Sequence, residues 1–257
     1  MATLQFESEL NQNTPLGGGF FRLSFSWPAS AAPVPGQFLS LRVSSSPVPL
    51  LRRPFAFSHY DPSTSCASII VKTRGRATEL LSRKRPGDTL EIIGPRGTAF
   101  PQPQREHRPV LLAGGIGLGP ILFLASTFKA RGFEPTLVFG CRSRDELPCA
   151  EELAELEARI CTDDGSEGFR GTVVDYLKHA LSVENAELYA CGPNPMLAEI
   201  AGVAEAHRVP CWVSMEQTMG CSMGACMGCV IRTHHPSGYA RVCTEGPVFD
   251  SREIRWT

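Results

Sequence analysis

Cys221, Cys226, Cys229 and Cys243 share one stretch with the spacing C-x4-C-x2-C-x13-C, and Gly220, Gly224 and Gly228 are interleaved with the first three. Four thiolates on a tightly folded loop are the ligand set of a [2Fe–2S] cluster. Its sulfides also accept backbone N–H groups, so the main chain must come close. Glycine permits that approach and the backbone angles it demands. The competing chemistry is a four-cysteine zinc site, which pairs its ligands as two separated C-x2–4-C knuckles. Here three ligands share one loop and the fourth stands alone, a pattern that favours iron–sulfur over zinc. His234 and His235 lie between the third and fourth cysteines. Rieske ligation needs histidine in place of two cysteines, so these two are expected in a solvent loop.

A second constellation is the run Val110-Leu-Leu-Ala-Gly-Gly-Ile-Gly-Leu-Gly-Pro120. It places a glycine turn between a buried strand and a helix, the position at which a parallel sheet presents helix N–H groups to a pyrophosphate. Tight packing also needs glycine, so the turn alone leaves both readings open. Tyr189-Ala-Cys-Gly-Pro-Asn-Pro-Met196 follows another strand and lies on the side expected for a nicotinamide, although an isolated Cys191 is also a common small core residue. No acid stands out as a reader of the ribose. Arg142 and Arg144 follow the second strand of this half, at 136–139, and would even suit a 2′-phosphate, which leaves NAD against NADP open. Earlier in the chain Leu51-Arg-Arg-Pro-Phe-Ala-Phe-Ser58 sets two arginines beside a strand, and Gly75-Arg-Ala-Thr78 leads into a short helix with N–H donors and a hydroxyl for a second phosphate site. Exposed arginines are often merely solvated. Together, however, an arginine-bearing barrel and a nucleotide sheet suit a flavin held between them.

The elements that must position these groups fall into two periodicities. Phe21, Leu23, Phe25 and Trp27 alternate with polar residues, as do Leu39, Leu41 and Val43. Further runs at 56–60, 68–72 and 89–93 are separated by Gly, Pro and Ser turns. This predicts an antiparallel barrel or sandwich with one short helix over 78–83, capped by Thr78. After the polar stretch 101–108, strands at 110–113, 136–139, 159–162, 187–190 and 211–215 alternate with helices at 121–129, 151–156, 173–181 and 195–207. That is the pattern of a doubly wound parallel sheet. The expected organisation is a multidomain β plus α/β chain. Residues 1–104 form a flavin-binding antiparallel barrel, 105–215 a nucleotide-binding α/β domain, and 216–257 a small iron–sulfur domain.

Composition sets the outer bounds. The chain has 257 residues, 42% hydrophobic and 20% charged, with a net charge of −1, so nothing favours nucleic acid or an anionic membrane surface. The uncharged stretch 109–128 is long enough to span a bilayer, but its glycines and Pro120 break it, which favours a strand, turn and helix. Six of the ten cysteines are scattered and the N-terminus lacks signal-peptide features, so a reducing cytoplasm is expected.

With these residues in view the sequence resembles a known family. Arg53-Pro54-Phe55-Ala56 is similar to the flavin-binding Arg-x-Tyr/Phe-Ser strand of the ferredoxin–NADP reductase superfamily. Gly94-Pro-Arg-Gly97, Ala113-Gly-Gly-Ile-Gly117 and Cys191-Gly-Pro193 resemble its later landmarks in the same order. Thr162-Asp-Asp-Gly-Ser-Glu-Gly168, the cysteine loop from Met219 to Cys229, and Arg241-Val-Cys-Thr-Glu-Gly-Pro-Val-Phe249 narrow the resemblance to the electron-transfer subunits of class 1B dihydroorotate dehydrogenase, over roughly residues 5 to 256. The resemblance implies FAD at Arg53, Pro54, Phe55 and Ala56, along Ile70, Val71 and Lys72, and at Gly75, Ala77 and Thr78. It implies NAD(H) over Gly114, Gly115, Gly117, Cys191, Gly192 and Pro193, and a [2Fe–2S] cluster on Cys221, Cys226, Cys229 and Cys243. It further implies an FMN-containing catalytic subunit as partner, in a heterotetramer of two such pairs.

Two departures bear on this assignment. Ala56 lacks the hydroxyl of the family's serine, for which Ser58 or a backbone N–H would have to compensate. Ser222 replaces a glycine, which is tolerated unless the position needs a positive φ. His59, His107, His179 and His207 sit apart in the sequence and supply no base set for dihydroorotate, so that chemistry is expected on the partner. The alternatives are a related flavin/iron–sulfur module serving ferredoxin, a hydrogenase or a sulfite reductase, and a zinc-stabilised interaction protein that is not an enzyme.

Overall fold

The computed structural model describes residues 3–44, 46 and 48–256. Six strands close an antiparallel barrel: β1 (Leu4–Gly17), β2 (Phe20–Ser26), β3 (Phe38–Arg42), β4 (Arg53–Asp61), β5 (Cys66–Lys72) and β6 (Thr89–Arg96), in the order β1-β2-β5-β4-β3-β6. Closure removes the exposed edges that an open antiparallel sheet would leave. The inward residues of the alternating runs fill the interior, with Leu23, Phe25, Leu39, Leu41 and Phe57 fully buried. Trp27 packs edge-on against Phe6 and Phe57, and its indole N–H is satisfied by the Ala31 carbonyl at 2.7 Å. β1 carries no clear apolar alternation, because Ser8 occupies an inward position. Its hydroxyl is satisfied by the Ser26 carbonyl at 2.6 Å.

The short helix α1 (Arg76–Ser82) starts two residues earlier than predicted. Thr78 therefore does not cap it. Gly75 holds the cap position, and the Thr78 hydroxyl folds back to accept from the Arg74 and Gly75 N–H groups at 2.8 and 3.2 Å.

The second unit is a seven-stranded sheet. β7 (Arg108–Gly114), β8 (Thr136–Cys141), β9 (Arg159–Thr162), β10 (Phe169–Arg170), β11 (Ala186–Cys191) and β12 (Cys211–Ser214) run parallel. α2 (Leu118–Ala130), α3 (Ala150–Glu155), α4 (Val173–His179) and α5 (Asn194–His207) connect them. The uncharged stretch 109–128 is divided between β7, its turn and α2, and no helix among the described residues is long and apolar enough to cross a membrane. Near-continuous burial of β7 and β11 reflects a sheet covered on both faces.

The C-terminal segment forms the two-stranded β13 (Val230–Arg232) and β14 (Tyr239–Arg241), then returns. Its last strand β15 (Val248–Asp250) pairs antiparallel with β12 and closes that edge of the parallel sheet. One apolar cluster accordingly joins Phe38 of the barrel, the β7, β11 and β12 side of the sheet, and Cys229, Val242 and Cys243.

Candidate functional site

A cavity of about 260 Å³ lies where the three segments meet. One wall is the barrel: Pro54, Phe55 and Ala56 of β4, then Ile70, Val71 and Lys72 of β5. Arg74 and Thr78 stand at the start of α1. The opposite wall is Cys191 at the end of β11, and the remaining side is the segment after β12, including Glu216 and Met219. An apolar slot with two cations and a hydroxyl at one end suits a planar ring carrying a phosphate tail. Arg53, Gly75 and Ala77 do not line it. The Arg53 guanidinium instead donates to the Leu51 carbonyl at 2.7 Å. Ser58 lies outside the slot as well. Its buried hydroxyl has no partner among the described residues and its Cβ packs beside Gly119 of α2, so it does not replace the hydroxyl that Ala56 lacks.

Burial raises the Cys191 thiol, which therefore stays neutral and presents a small apolar wall to the slot. Glu216 lines the slot and is exposed to solvent, yet much of its surroundings is protein. That desolvation pushes its pKa up while Arg74 pulls it down. Glu216 and Met219 were not foreseen in the sequence. The available signal was their place between the last parallel strand and the first cysteine.

A second cleft of about 880 Å³ runs along the carboxyl edge of the sheet. Gly114, Gly115, Pro193, Gly140, Cys141 and Asp163 line it from the sheet side, while Lys72 and Arg74 border both cavities. The glycines of the turn do different work. Gly115 adopts φ +54° and faces open space in the cleft, whereas a Cβ on Gly117 would stand 2.1 Å from the Cys191 carbonyl oxygen. Gly192 likewise packs against Gly114 and Met196. Gly117 and Gly192 therefore shape the cleft from behind rather than line it. The ion pair of Lys72 with Glu146, 2.6 Å long, joins barrel to nucleotide unit across the cleft.

The cysteines come together at the end of the chain as two pairs. The Cys226 N–H donates to Cys221 Sγ at 3.4 Å, as does the Met223 N–H. Cys229 adjoins Cys243, and the Cys229 carbonyl accepts from the Val242 N–H at 3.0 Å. The Met223 N–H, with that of Cys226, holds the Cys221 thiol down to about 6, so a thiolate forms readily. Cys229 is shifted the other way, chiefly by burial. Among the described residues no three His, Cys, Asp or Glu side chains converge on one point. Two thiol pairs with N–H groups aimed at sulfur suit two bridged irons better than one tetrahedral zinc. His234 and His235 are exposed on the turn between β13 and β14. Ser222 sits at φ +58°, so this position does require the left-handed region. Its side chain is buried and accepts from the Ser40 hydroxyl at 3.2 Å.

Comparison with known proteins agrees with this geometry. The profile of the iron–sulfur cluster binding domain of dihydroorotate dehydrogenase B matches residues 216–255, and that of the oxidoreductase NAD-binding domain matches residues 111–201. The chain is 40% identical over 226 residues to the dihydroorotate dehydrogenase B (NAD(+)) electron transfer subunit of Geobacillus kaustophilus, covering 86% of each. It is 36% identical over 228 residues to that of Desulforamulus reducens, covering 87% of each. Among solved structures, a chain of an NADH-dependent reduced ferredoxin–NADP oxidoreductase, studied for flavin-based electron bifurcation, superposes with a TM-score of 0.83 at 26% identity, over 97% of this chain and 90% of that one. Relatives of nearly the same length thus match most of this chain, and the chain belongs to the family of electron transfer subunits of dihydroorotate dehydrogenase B.

Proposed function

We propose that this chain carries electrons between NAD(H) in the edge cleft, FAD in the slot and a [2Fe–2S] cluster on Cys221, Cys226, Cys229 and Cys243. Its partner in this reading is the FMN-containing subunit that oxidises dihydroorotate for pyrimidine synthesis, in a heterotetramer of two pairs. The observation that carries it is the slot itself. Barrel, nucleotide strand and cluster segment share one cavity, and Met219 in its wall is two residues from Cys221. Nicotinamide exchanges two electrons as hydride and the cluster one at a time, and a flavin between them supplies the conversion.

The chain's own residues perform the holding. Pro54, Phe55, Ala56 and Val71 bound the apolar slot, and Lys72 and Arg74 meet phosphate charge where the two cavities join. Cys191 keeps water from the slot's inner wall, and Glu216 adds a carboxyl to the slot's lining. Cys226 is exposed between Met223 and Met227, themselves 55% and 40% exposed, an apolar rim suited to a docking subunit. All ten cysteines are free, which supports a reducing cytoplasm.

Anaerobic purification tests this reading. The expected sample is brown-yellow with about two irons and one FAD, and NADH bleaches it. An FMN-bearing, dihydroorotate-oxidising subunit should copurify. A colourless protein with stoichiometric zinc would overturn the proposal. The likeness to the ferredoxin–NADP oxidoreductase chain favours a second reading, a module serving ferredoxin or a related redox enzyme, which copurification of such a partner would establish instead.

A further inference from the structure

We propose that Arg241 is the positioning residue of the four-thiol segment. It joins the turn that carries Cys243 to the loop that carries Cys221 and Cys226. Its charge, balanced by Glu245, sets how readily the iron centre accepts an electron. This rests on the cluster reading of the four thiols.

Arg241 ends β14, opposite Val230 at the start of β13, so this hairpin brings the flanking Cys229 and Cys243 side by side. The Arg241 carbonyl accepts from the Thr244, Glu245 and Gly246 N–H groups at 3.1, 2.9 and 3.3 Å, which folds the turn around Cys243. The next residue, Val242, fastens that turn to the Cys229 carbonyl. The Arg241 side chain then reaches the other thiol pair. Its Nη1 donates to the carbonyl of Gly224, between Cys221 and Cys226, at 3.0 Å. Gly224 adopts φ +84°, and a Cβ there would stand 2.6 Å from the Thr244 hydroxyl and 3.2 Å from Arg241 Nη1. The ligand loop is therefore pressed directly against this turn. One residue folds the second thiol pair with its main chain and holds the first with its side chain.

Glu245 aims the guanidinium. Its carboxylate accepts from the Arg241 main-chain N–H at 2.7 Å, from Nε at 3.0 and 3.1 Å, and from Nη2. A planar fork held this way presents Nη1 in a fixed direction, which a lysine ammonium does not. Arg96 also donates to the loop, at the Ser222 carbonyl, but it comes from β6 and so ties the loop to the barrel. The Arg241 charge is within reach of the second pair as well. After Glu245, the Cys243 and Cys229 thiolates help to hold its pKa up against desolvation. Four thiolates make the centre an anion, and reduction adds a further negative charge. A nearby cation therefore favours the reduced form and a nearby anion opposes it. Arg241 and Glu245 largely cancel one another, so removing either charge uncovers the other.

The full chain, purified anaerobically with its FAD and iron, tests this by two readouts. One is the rate of iron capture by excess chelator, and the other is the reduced fraction of the cluster in a mediated redox titration. Arg241→Gln and Arg241→Lys should each release iron about tenfold faster, because both lack the aimed bond to Gly224. At the poise where the native cluster is half reduced, Arg241→Gln should show a reduced-to-oxidised ratio about three- to tenfold lower. Glu245→Gln should raise that ratio by about the same factor, and Arg241→Lys should leave it near the native value. The pair is 32% and 40% exposed, so solvent screening keeps these shifts modest. Opposite signs are what a merely structural role would not give, since both glutamine variants break the same ion pair. Glu245→Gln keeps Arg241 and reads the sign even where Arg241→Gln holds too little iron to titrate. Bound FAD in each variant verifies that the chain folds. Shifts of one sign in both glutamine variants, or native iron retention in Arg241→Gln, would overturn the proposal. A native chain that binds FAD but no iron would overturn the cluster reading and this inference with it.

Discussion

At Ser222 a residue with a side chain occupies a left-handed backbone conformation beside a cluster ligand. That conformation costs a non-glycine residue about 1–2 kcal/mol. The buried hydrogen bond from Ser40 offsets it by about 1 kcal/mol and ties the cluster loop to β3 of the barrel. The Arg96 Nε–H adds a second tie by donating to the Ser222 carbonyl at 3.1 Å. Removing the bond alone should therefore expose the strain. Ser40→Ala is expected to lose about 1 kcal/mol, and adding Ser222→Gly should restore most of it by relieving the backbone. Anaerobic guanidinium titrations of the two singles and the double variant measure this. A neutral Ser40→Ala, or a double variant weaker than Ser40→Ala, would contradict the account. The sequence posed the question at this position, since Ser stood where glycine was expected, but φ and the partner 182 residues away were invisible in it.

The turn from β7 into α2 shows what an element demands of its glycines. Gly117 lets the first turn of α2 approach the end of β11, and every near atom a Cβ would meet is backbone, which cannot step aside. Gly117→Ala should therefore lower stability by about 1–3 kcal/mol and weaken ADP-ribose binding, because the turn and Pro193, just after β11, both border the cleft. At Gly115 a Cβ would meet nothing within 4 Å, and the φ of +54° alone sets a penalty of about 1 kcal/mol for alanine. Comparing the two variants by thermal melts and ligand titration separates packing from backbone strain. Equal losses of stability would refute the distinction. Sequence reading located this turn correctly because a buried strand followed by glycines and a helix is a local pattern. It missed β1, whose inward Ser8 breaks the apolar alternation, and misplaced the start of α1, because capping depends on backbone angles.

Across the whole molecule the segments are packed as one body. Phe123 belongs to α2 of the nucleotide unit, yet it is buried in the core of the barrel. Phe20, Ile70 and Phe100 belong to the first hundred residues and pack with α2. The ion pairs Arg22–Glu152 and Lys72–Glu146 cross the same junction. Phe123→Ala should cost about 3–5 kcal/mol and keep a single unfolding transition, because the cavity it leaves lies in a core shared by both units. Scanning calorimetry checks this, and two separate transitions in the native chain would show that the units unfold independently. The return of β15 to edge the sheet belongs to the same scale. Three residues beyond a glycine-rich tail gave no period to read, and only the open edge of β12 gives them a place.

Chemistry of local origin was therefore decided by the sequence alone: four thiolates at cluster spacing, a strand–glycine–helix turn, and two hydrophobic periodicities that specify a barrel and a parallel sheet. Their spacing along the chain fixes these features, whatever lies elsewhere. Tertiary structure alone decided which of the named residues face a cavity, and that Glu216 and Met219 join the barrel residues in lining the slot. Those outcomes depend on contacts between segments distant in sequence, where packing and desolvation, rather than residue type, set what a side chain can do.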